Sequence, residues 1–546
     1  MTTSLPLADV VAASQAVAGT RARSAKVAVI AELLRAADPD HLDAVVAYLA
    51  GDLRQRRTGI GWAALRDVPS PAAESRLTVD DVDAAFERIA TLSGIGSQGA
   101  RAAEISALFG AATAAEQHFL RALATGELRQ GALDGVMIDA IAKASGVPVS
   151  LVRQAFMLRG SLPPVAVIAL RDGAEALAEI GLEIGRPVQP MLAQSASSVV
   201  EAMAKVGGGE VAIESKLDGI RVQIHRYTDE SGPQVRVFTR TLDDITARVP
   251  EIVDAAGVFD VRDGVFDGEA IALDESGRPR PFQETAARTS SRLSVETLQS
   301  RTPLSVFVFD VLQLDDEPVL TRPARERQQI LEKAVPGQLR VQRVVSSDPR
   351  QAADFFADAI ARGHEGVVVK GLDAPYEAGR RGGAWVKVKL RHTLDLVVLA
   401  AEWGHGRRSG LLSNLHLGAR AGDADDADDA GDGGSAGSAD AGGSGAFVML
   451  GKTFKGLTDE LLAWQTAELL RLETSRDAYT IYVAPELVVE IAFDGVQASS
   501  RYPGGVALRF ARVLRYRPDK RAADADRLSD VLAIHTHGRS TPSAKE

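Results

Sequence analysis

The sequence predicts a multidomain protein with an all-α N-terminal region, a mixed α+β central region and a β-rich C-terminal region. Its 546 residues exceed what one hydrophobic core usually organises, so roughly two to four domains are expected. Apolar residues recur at helical spacing through the first 185 residues, as at Val27, Ile30 and Leu34. After Gly185, short apolar runs typical of buried strands replace that pattern.

The domain boundaries are placed where these patterns change. The helical domain is predicted at residues 1–185, the α+β domain at residues 186–391 and the β-rich domain at residues 392–546. Within the α+β domain, residues 306–314 and 366–370 are dense apolar runs of the kind found in buried strands. We therefore expect a sheet-based central domain between two domains of different class.

One segment of the third region differs from its surroundings. Residues 421–446 consist of Asp, Ala, Gly and Ser with almost no side chain to bury, which predicts a disordered, solvated loop between two strands. Its seven Asp residues account for most of the net charge, since removing them takes it from −11 to −4. By contrast, residues 501–521 hold six Arg and one Lys against one Asp, which favours a phosphate-bearing partner.

The composition excludes several classes of protein. There is no cysteine, so disulfides, cysteine-based zinc sites, iron–sulfur clusters and thiol nucleophiles are excluded. No apolar run reaches the roughly 20 residues of a membrane span, and the N-terminus lacks the pattern of a secretory signal. These observations predict a cytoplasmic protein without a membrane partner.

The segment with the most chemical content surrounds Lys216, which is followed by Asp218 and Gly219. Taken alone, it is better explained by a surface turn between two strands, because Asp-Gly is common in turns. Further charged or aromatic segments follow in order at residues 238–240, 267–269, 307–310, 365–370 and 385–389. Strand ends that present Lys, Glu and Arg to one cleft would form a nucleotide pocket.

This ordered set of segments resembles the covalent nucleotidyltransferases, specifically the ATP-dependent DNA ligases of archaea and bacteria, over nearly the whole chain. The resemblance implies that residues 1–185 are an all-α DNA-binding domain and residues 186–391 an α+β adenylation domain. It implies that residues 392–546 form a β-barrel OB-fold domain ending in a basic motif at residues 509–520. Ala511 stands where many relatives have proline, which concerns local rigidity and not the arginines.

The resemblance also implies roles for individual residues. Lys216 would be the catalytic nucleophile, taking AMP from ATP as a phosphoramidate. Glu269 and Glu365 would hold Mg²⁺, for which carboxylates are suitable ligands. The nucleotide-binding set would be Glu214 on the adenine amino group, Phe309 stacked on its ring, Arg221 and Arg240 on ribose and phosphate, and Glu269, Arg381 and Lys387. Singly, these residues also fit core packing or an exposed strand, and only the whole set favours the nucleotide site.

In the family, AMP then passes to the 5′-phosphate of a nick, and the 3′-hydroxyl attacks that phosphate. The implied partner is nicked double-stranded DNA, encircled by a monomer in the cytoplasm and associated with the nucleoid while it acts. The implied processes are DNA replication, recombination and repair, and the sequence does not choose among them.

Three alternatives were considered. A ligase that uses NAD would carry a cysteine-based zinc module and an extra N-terminal segment, neither of which is seen. An RNA ligase or a capping guanylyltransferase shares the lysine motif, but the long helical N-terminus argues against both. A catalytically inactive DNA clamp would have no need of Lys216, Glu269, Glu365 and Lys387.

Overall fold

The computed structural model describes residues 5–55, 58–94, 96–128, 130–291, 293–377, 382–404, 408–421, 447–453 and 458–537. Within these ranges, no helix combines the length and the apolar character needed to cross a membrane. The predicted site residue Arg381 and nearly all of the predicted loop 421–446 lie outside the described residues.

The N-terminal region is helical, as predicted. The described helices are α1 (Leu7–Gly19), α2 (Arg23–Ala36), α3 (Leu42–Ala50), α4 (Val79–Thr91), α5 (Ser97–Ala111), α6 (Ala114–Ala124), α7 (Asp134–Ser145), α8 (Val149–Arg159), α9 (Leu162–Arg171) and α10 (Gly173–Ala178). Thr78 and Thr113 begin α4 and α6 with capping boxes, in which side chains satisfy amides that the first helical turn leaves free. Apolar faces of these helices meet in one continuous core.

The central region alternates strands with helices. In chain order it contains β1 (Gln194–Ala196), α11 (Val199–Lys205), β2 (Val211–Lys216), β3 (Ile220–Asp229), β4 (Gly232–Thr239), α12 (Pro250–Gly257), β5 (Gly264–Ala272), α13 (Phe282–Ser290), α14 (Val295–Arg301), β6 (Leu304–Leu314), β7 (Glu317–Pro318), α15 (Ala324–Ala334), β8 (Arg343–Ser346), α16 (Pro349–Ala361), β9 (Gly366–Gly371) and β10 (Trp385–Lys389).

These strands form two separate sheets, the first in the order β1-β10-β9-β2-β8 and the second in the order β4-β3-β5-β6-β7. Consecutive strands β2 and β3 therefore belong to different sheets. The segment that carries Asp218 and Gly219 crosses from one sheet to the other, so it is not the hairpin turn that its sequence also allowed.

In the described part of the C-terminal region, two helices accompany a seven-stranded sheet and a separate two-stranded sheet. This part contains β11 (His392–Trp403), β12 (Leu412–Arg420), β13 (Phe447–Lys452), α17 (Asp459–Arg471), β14 (Glu473–Arg476), β15 (Thr480–Val483), β16 (Val488–Phe493), β17 (Gly495–Ala498), β18 (Val506–Arg509), β19 (Arg512–Tyr516) and α18 (Leu528–His537). Strands β17 and β18 form the two-stranded sheet.

The seven main strands of this region do not close into a ring. Strand β11 pairs with β12, β15 and β16, whereas β13, β14 and β19 each have one partner among the described residues. The expected β-barrel is therefore present as an open, branched sheet with its own apolar core. Strands β12 and β13, which flank the predicted acidic loop, pair directly, with Arg420 opposite Phe447.

Candidate active site

Lys216 lies at the end of β2, where three strands of the first sheet bring charged residues together. Its register partner is Gly366 of β9, which in turn pairs with Lys389 of β10, so the three residues lie abreast. Glu365 immediately precedes Gly366, and its amide donates to the Lys216 carbonyl over 3.0 Å. Backbone pairing alone thus fixes two lysines and one carboxylate at the same sheet end.

The side chains of these residues form a chain of ion pairs. One carboxylate oxygen of Glu365 contacts the Lys216 ammonium and the other contacts the Lys389 ammonium. Burial opposes ionisation of Glu365, but these two cations outweigh it and hold the pKa of the carboxyl below its ordinary value. Lys216 remains 21% exposed, so its amine is accessible from the cleft between the sheets.

Two glycines permit the close backbone approach at this point. A Cβ on Gly219 would overlap the Ala270 carbonyl, which belongs to the second sheet. A Cβ on Gly366 would overlap the Val388 carbonyl, and Gly366 has φ of +148°, a conformation that other residues rarely adopt. The glycines that follow Lys216 and Glu365 in the sequence are therefore required by packing.

The second sheet contributes Arg221 and Glu269, which are direct partners across β3 and β5. Glu269 is half-buried, and desolvation raises the pKa of its carboxyl to about 7, although the nearby Lys216 and Arg221 act in the opposite direction. Among the described residues, no cluster of three or more His, Asp or Glu side chains could hold a metal ion by itself. Any metal here would need ligands beyond Glu269 and Glu365.

Glu214 and Phe309 both contact Lys370, a residue to which the sequence analysis assigned no role. Lys370 lies 2.5 Å from a Glu214 carboxylate oxygen. Its ammonium is 4.6 Å from the centre of the Phe309 ring and 4.2 Å from that of Trp385, distances typical of cation–π contacts. Glu214 is therefore buried as part of an ion pair beside an aromatic wall.

Arg221 is the most strongly held residue of the set. Its guanidinium bridges both carboxylate oxygens of Asp267, with one contact of 2.8 Å, and lies 5.1 Å from the centre of the Phe309 ring. Burial disfavours its charge, but the Asp267 carboxylate outweighs that effect and raises the pKa of Arg221 above its ordinary value. Asp267 lies two residues before Glu269 in the same motif, so the pattern contained it without revealing its task.

The two remaining predicted residues that the structure describes are Lys387, in β10, and Arg240, after β4. Lys387 lies on the same face of β10 as Lys389 and pairs with Val368 of β9. Arg240 is exposed in the turn after β4.

The C-terminal region reaches the same site through Arg509, at the end of β18. Its guanidinium lies 3.2 Å from the Asp218 carboxylate and 5.3 Å from the centre of the Phe282 ring. Asp494, just after β16, lies 3.5 Å from Lys389 and 3.1 Å from Arg512. The basic motif predicted at residues 509–520 is therefore divided, because Arg517 and Lys520 instead bind Asp395 within the C-terminal region.

Comparison with known proteins shows the family of the chain. Three family models match: DNA ligase N terminus at residues 63–142, ATP dependent DNA ligase domain at 190–389 and ATP dependent DNA ligase C terminal region at 434–520. The chain is 56% identical over 533 residues to a protein of Nocardioides sp. named "Probable DNA ligase", with 97% of this chain and 98% of that protein covered.

A protein of Kineococcus radiotolerans with the same name is 56% identical over 532 residues, covering 97% of this chain and 99% of that protein. The solved structure Pmar-Lig_PreS3 has a TM-score of 0.58 over 93% of this chain and 99% of its own, at 17% identity, and this likeness supports the fold alone. Since relatives more than half identical span nearly the whole chain, the chain belongs to the family of ATP-dependent DNA ligases.

Proposed function

We propose that this protein seals nicks in duplex DNA with ATP, through AMP carried covalently on Lys216. The observation that carries the proposal is the position of Lys216: its partly exposed side chain pairs with one oxygen of Glu365, whose other oxygen contacts Lys389. Arg509 adds a further cation through its contact with Asp218, two residues beyond Lys216. A nucleophilic amine, carboxylates and cations in one cleft are what transfer of a nucleotidyl group requires.

In the first step, the Lys216 nitrogen bonds to the α-phosphorus of ATP while the bond from that phosphorus to the bridging oxygen breaks. Pyrophosphate leaves with the electron pair of that bond, and the amine loses its proton to give a phosphoramidate. The contact between Lys216 and Glu365 has to open for the amine to attack. Arg509, beside Asp218, is placed to offset charge on the departing pyrophosphate.

The nucleotide is held by residues of both sheets. Glu214 accepts a hydrogen bond from the adenine amino group, and Phe309 stacks on the ring. Arg221 and Arg240 contact ribose and phosphate, and Lys387 contacts the phosphates. The contacts of Glu214 and Phe309 with Lys370 place these two residues together, which supports a single base-binding end of the cleft.

Glu269 and Glu365 would hold Mg²⁺. Both interact electrostatically with Lys216, and their hard oxygen donors suit this ion, which proteins usually bind through one or two carboxylates with substrate phosphates and water. When bound, Mg²⁺ supplies positive charge to the phosphates. The two carboxylates would hold the ion in place, and the lysines would neutralise the remaining negative charge of the phosphates.

The later steps act on DNA. AMP moves from Lys216 to the 5′-phosphate of the nick, and the 3′-hydroxyl then attacks that phosphate and releases AMP. We assign DNA contacts to the helical region and to the C-terminal region, which we take to be an OB-fold. We also propose that the protein acts in the cytoplasm as a monomer that encircles the duplex; the contacts of Arg509 and Asp494 with the central region support the part assigned to the C-terminal region.

Two measurements test this function. Mass spectrometry of the purified protein after incubation with ATP, GTP or NAD should find an AMP adduct on Lys216 with ATP only. A labelled nicked DNA duplex should be sealed with ATP and Mg²⁺ and not with NAD. A GMP adduct would instead indicate a capping-type enzyme, and absence of any adduct would leave only a DNA-binding role.

A further inference from the structure

A closed set of hydrogen bonds surrounds Arg221 on the side away from Lys216. Besides its paired contacts with Asp267, Arg221 donates through Nη1 to the Met191 carbonyl over 2.9 Å. The amide of Met191 donates over 3.0 Å to the hydroxyl of Tyr376, and that hydroxyl donates over 2.6 Å to Asp267. Asp267 and Met191 thus each contact both Arg221 and Tyr376.

Tyr376 is itself fixed by the framework of the central region. Its ring is 3% exposed and packs edge-to-face on Trp385, with ring centres 5.7 Å apart. Its amide donates to the Leu320 carbonyl over 2.8 Å. The carbonyl of Ala374, two residues before Tyr376, accepts a hydrogen bond from Arg327, and Arg327 forms a buried ion pair with Asp310. The hydroxyl therefore has little freedom to move away from Asp267.

We propose that Tyr376 is a positioning residue for ATP, which fixes the guanidinium of Arg221 through Asp267 and Met191 and through its own hydroxyl, to which Arg221 Nη2 donates over 3.4 Å. This inference rests on the proposed function, in which Arg221 contacts ribose and phosphate. Without the hydroxyl, Asp267 loses a charge-assisted hydrogen bond and the Met191 amide loses its acceptor in a buried site. The Arg221–Asp267 pair is then held by fewer contacts, and ATP binding has to restore its orientation.

Tyr376→Phe is the direct test, because it removes the hydroxyl and keeps the ring packing on Trp385. The initial rate of AMP transfer to Lys216 is measured against ATP concentration. We expect the KM for ATP to rise about tenfold, equivalent to about 1.4 kcal/mol. The maximal rate should stay within about twofold, because the contacts among Lys216, Glu365 and Lys389 do not involve Tyr376.

Tyr516→Phe is the matched control. Tyr516 is a half-buried tyrosine of the C-terminal region, and its hydroxyl donates to Gln465 over 2.6 Å, the same distance as in the Tyr376–Asp267 pair. Its loss should lower the thermal midpoint without changing the KM for ATP. A general loss of stability in Tyr376→Phe would lower the active fraction in the same way and leave KM unchanged.

An unchanged KM in Tyr376→Phe overturns the inference. Asp267→Asn provides a second route, since it removes the charge that faces Arg221, and it should raise KM by a similar factor. In the double variant, the two effects should not add. If Tyr376→Phe does not fold, an unchanged KM in Asp267→Asn overturns the inference by itself. Failure of the wild-type protein to form the AMP adduct would instead contradict the proposed function.

Discussion

Arg509 of the C-terminal region lies 3.2 Å from Asp218, two residues beyond Lys216. The contact joins residues 291 positions apart in the chain and places a cation from one region near the proposed nucleophile of another. A cation in this position matters while pyrophosphate leaves and has no evident task once AMP is attached to DNA.

We therefore expect Arg509→Ala to slow AMP transfer to Lys216 by about a hundredfold, the usual cost of losing one preorganised charge-stabilising group. Sealing of a nick that already carries 5′-AMP should be affected much less. Both rates are measured with the same labelled duplex. Equal loss in the two assays, greater at high salt, would show that Arg509 only binds DNA.

Lys520→Ala provides a contrast within the same motif. The Lys520 ammonium lies 2.5 Å from Asp395, where Arg517 also binds, and not at the Lys216 site. We expect a lower thermal midpoint with a smaller loss of AMP transfer than in Arg509→Ala. A loss of AMP transfer as large as in Arg509→Ala, at an unchanged midpoint, would contradict the division of the motif.

Lys216→Ala should abolish the AMP adduct while changing the free energy of unfolding by less than about 1 kcal/mol. Glu365 keeps its partner Lys389, so no buried charge is left unpaired. Lys216→Arg should also form no adduct, because a guanidinium stays protonated at neutral pH. Mass spectrometry and thermal melting check both variants, and covalent AMP on either one would refute the assignment of the nucleophile.

Glu269 should make both stability and activity depend on pH. Its pKa is about 7 in the folded protein against an ordinary value of 4.5, so the unfolded chain ionises first as the pH rises. Stability contributed by the neutral carboxyl is complete below pH 4.5 and is lost as the pH rises to about 7, by at most about 3 kcal/mol. Glu269→Gln should remove this decline in denaturant unfolding curves.

In the proposed function, the same carboxyl would have to ionise to hold Mg²⁺. At low Mg²⁺, AMP transfer should therefore rise with pH with a midpoint near 7, and higher Mg²⁺ should move that midpoint downward because the ion competes with the proton. A midpoint that does not depend on Mg²⁺ concentration would separate Glu269 from the metal.

Removing the acidic segment 421–446 should leave nick sealing and the thermal midpoint nearly unchanged. Arg420 and Phe447 pair directly across β12 and β13, so a two-residue Asn-Gly turn can join them. Shortening a loop changes its closure entropy only modestly. Loss of cooperative melting in the shortened protein would show that the segment contributes to the fold.

The sequence by itself determined the division into helical, mixed and β-rich regions, because hydrophobic periodicity is local and survives without knowledge of contacts. It also indicated Lys216, Glu269 and Glu365 as candidate site residues, since an ordered series of short motifs carries information that no single residue does. The sequence shows the glycines that follow Lys216 and Glu365. It does not show the Ala270 and Val388 carbonyls, which leave no room for a side chain at those positions.

Only the tertiary structure decided which residues meet. The ion pairs of Glu365 depend on the register of β2, β9 and β10, and the contact of Arg509 with Asp218 depends on how the C-terminal region packs. Tyr376 carries no motif at all, yet its hydroxyl lies 2.6 Å from Asp267, 109 positions away. Hydrogen bonds between distant residues depend on strand pairing and packing over the whole chain, which local sequence patterns do not encode.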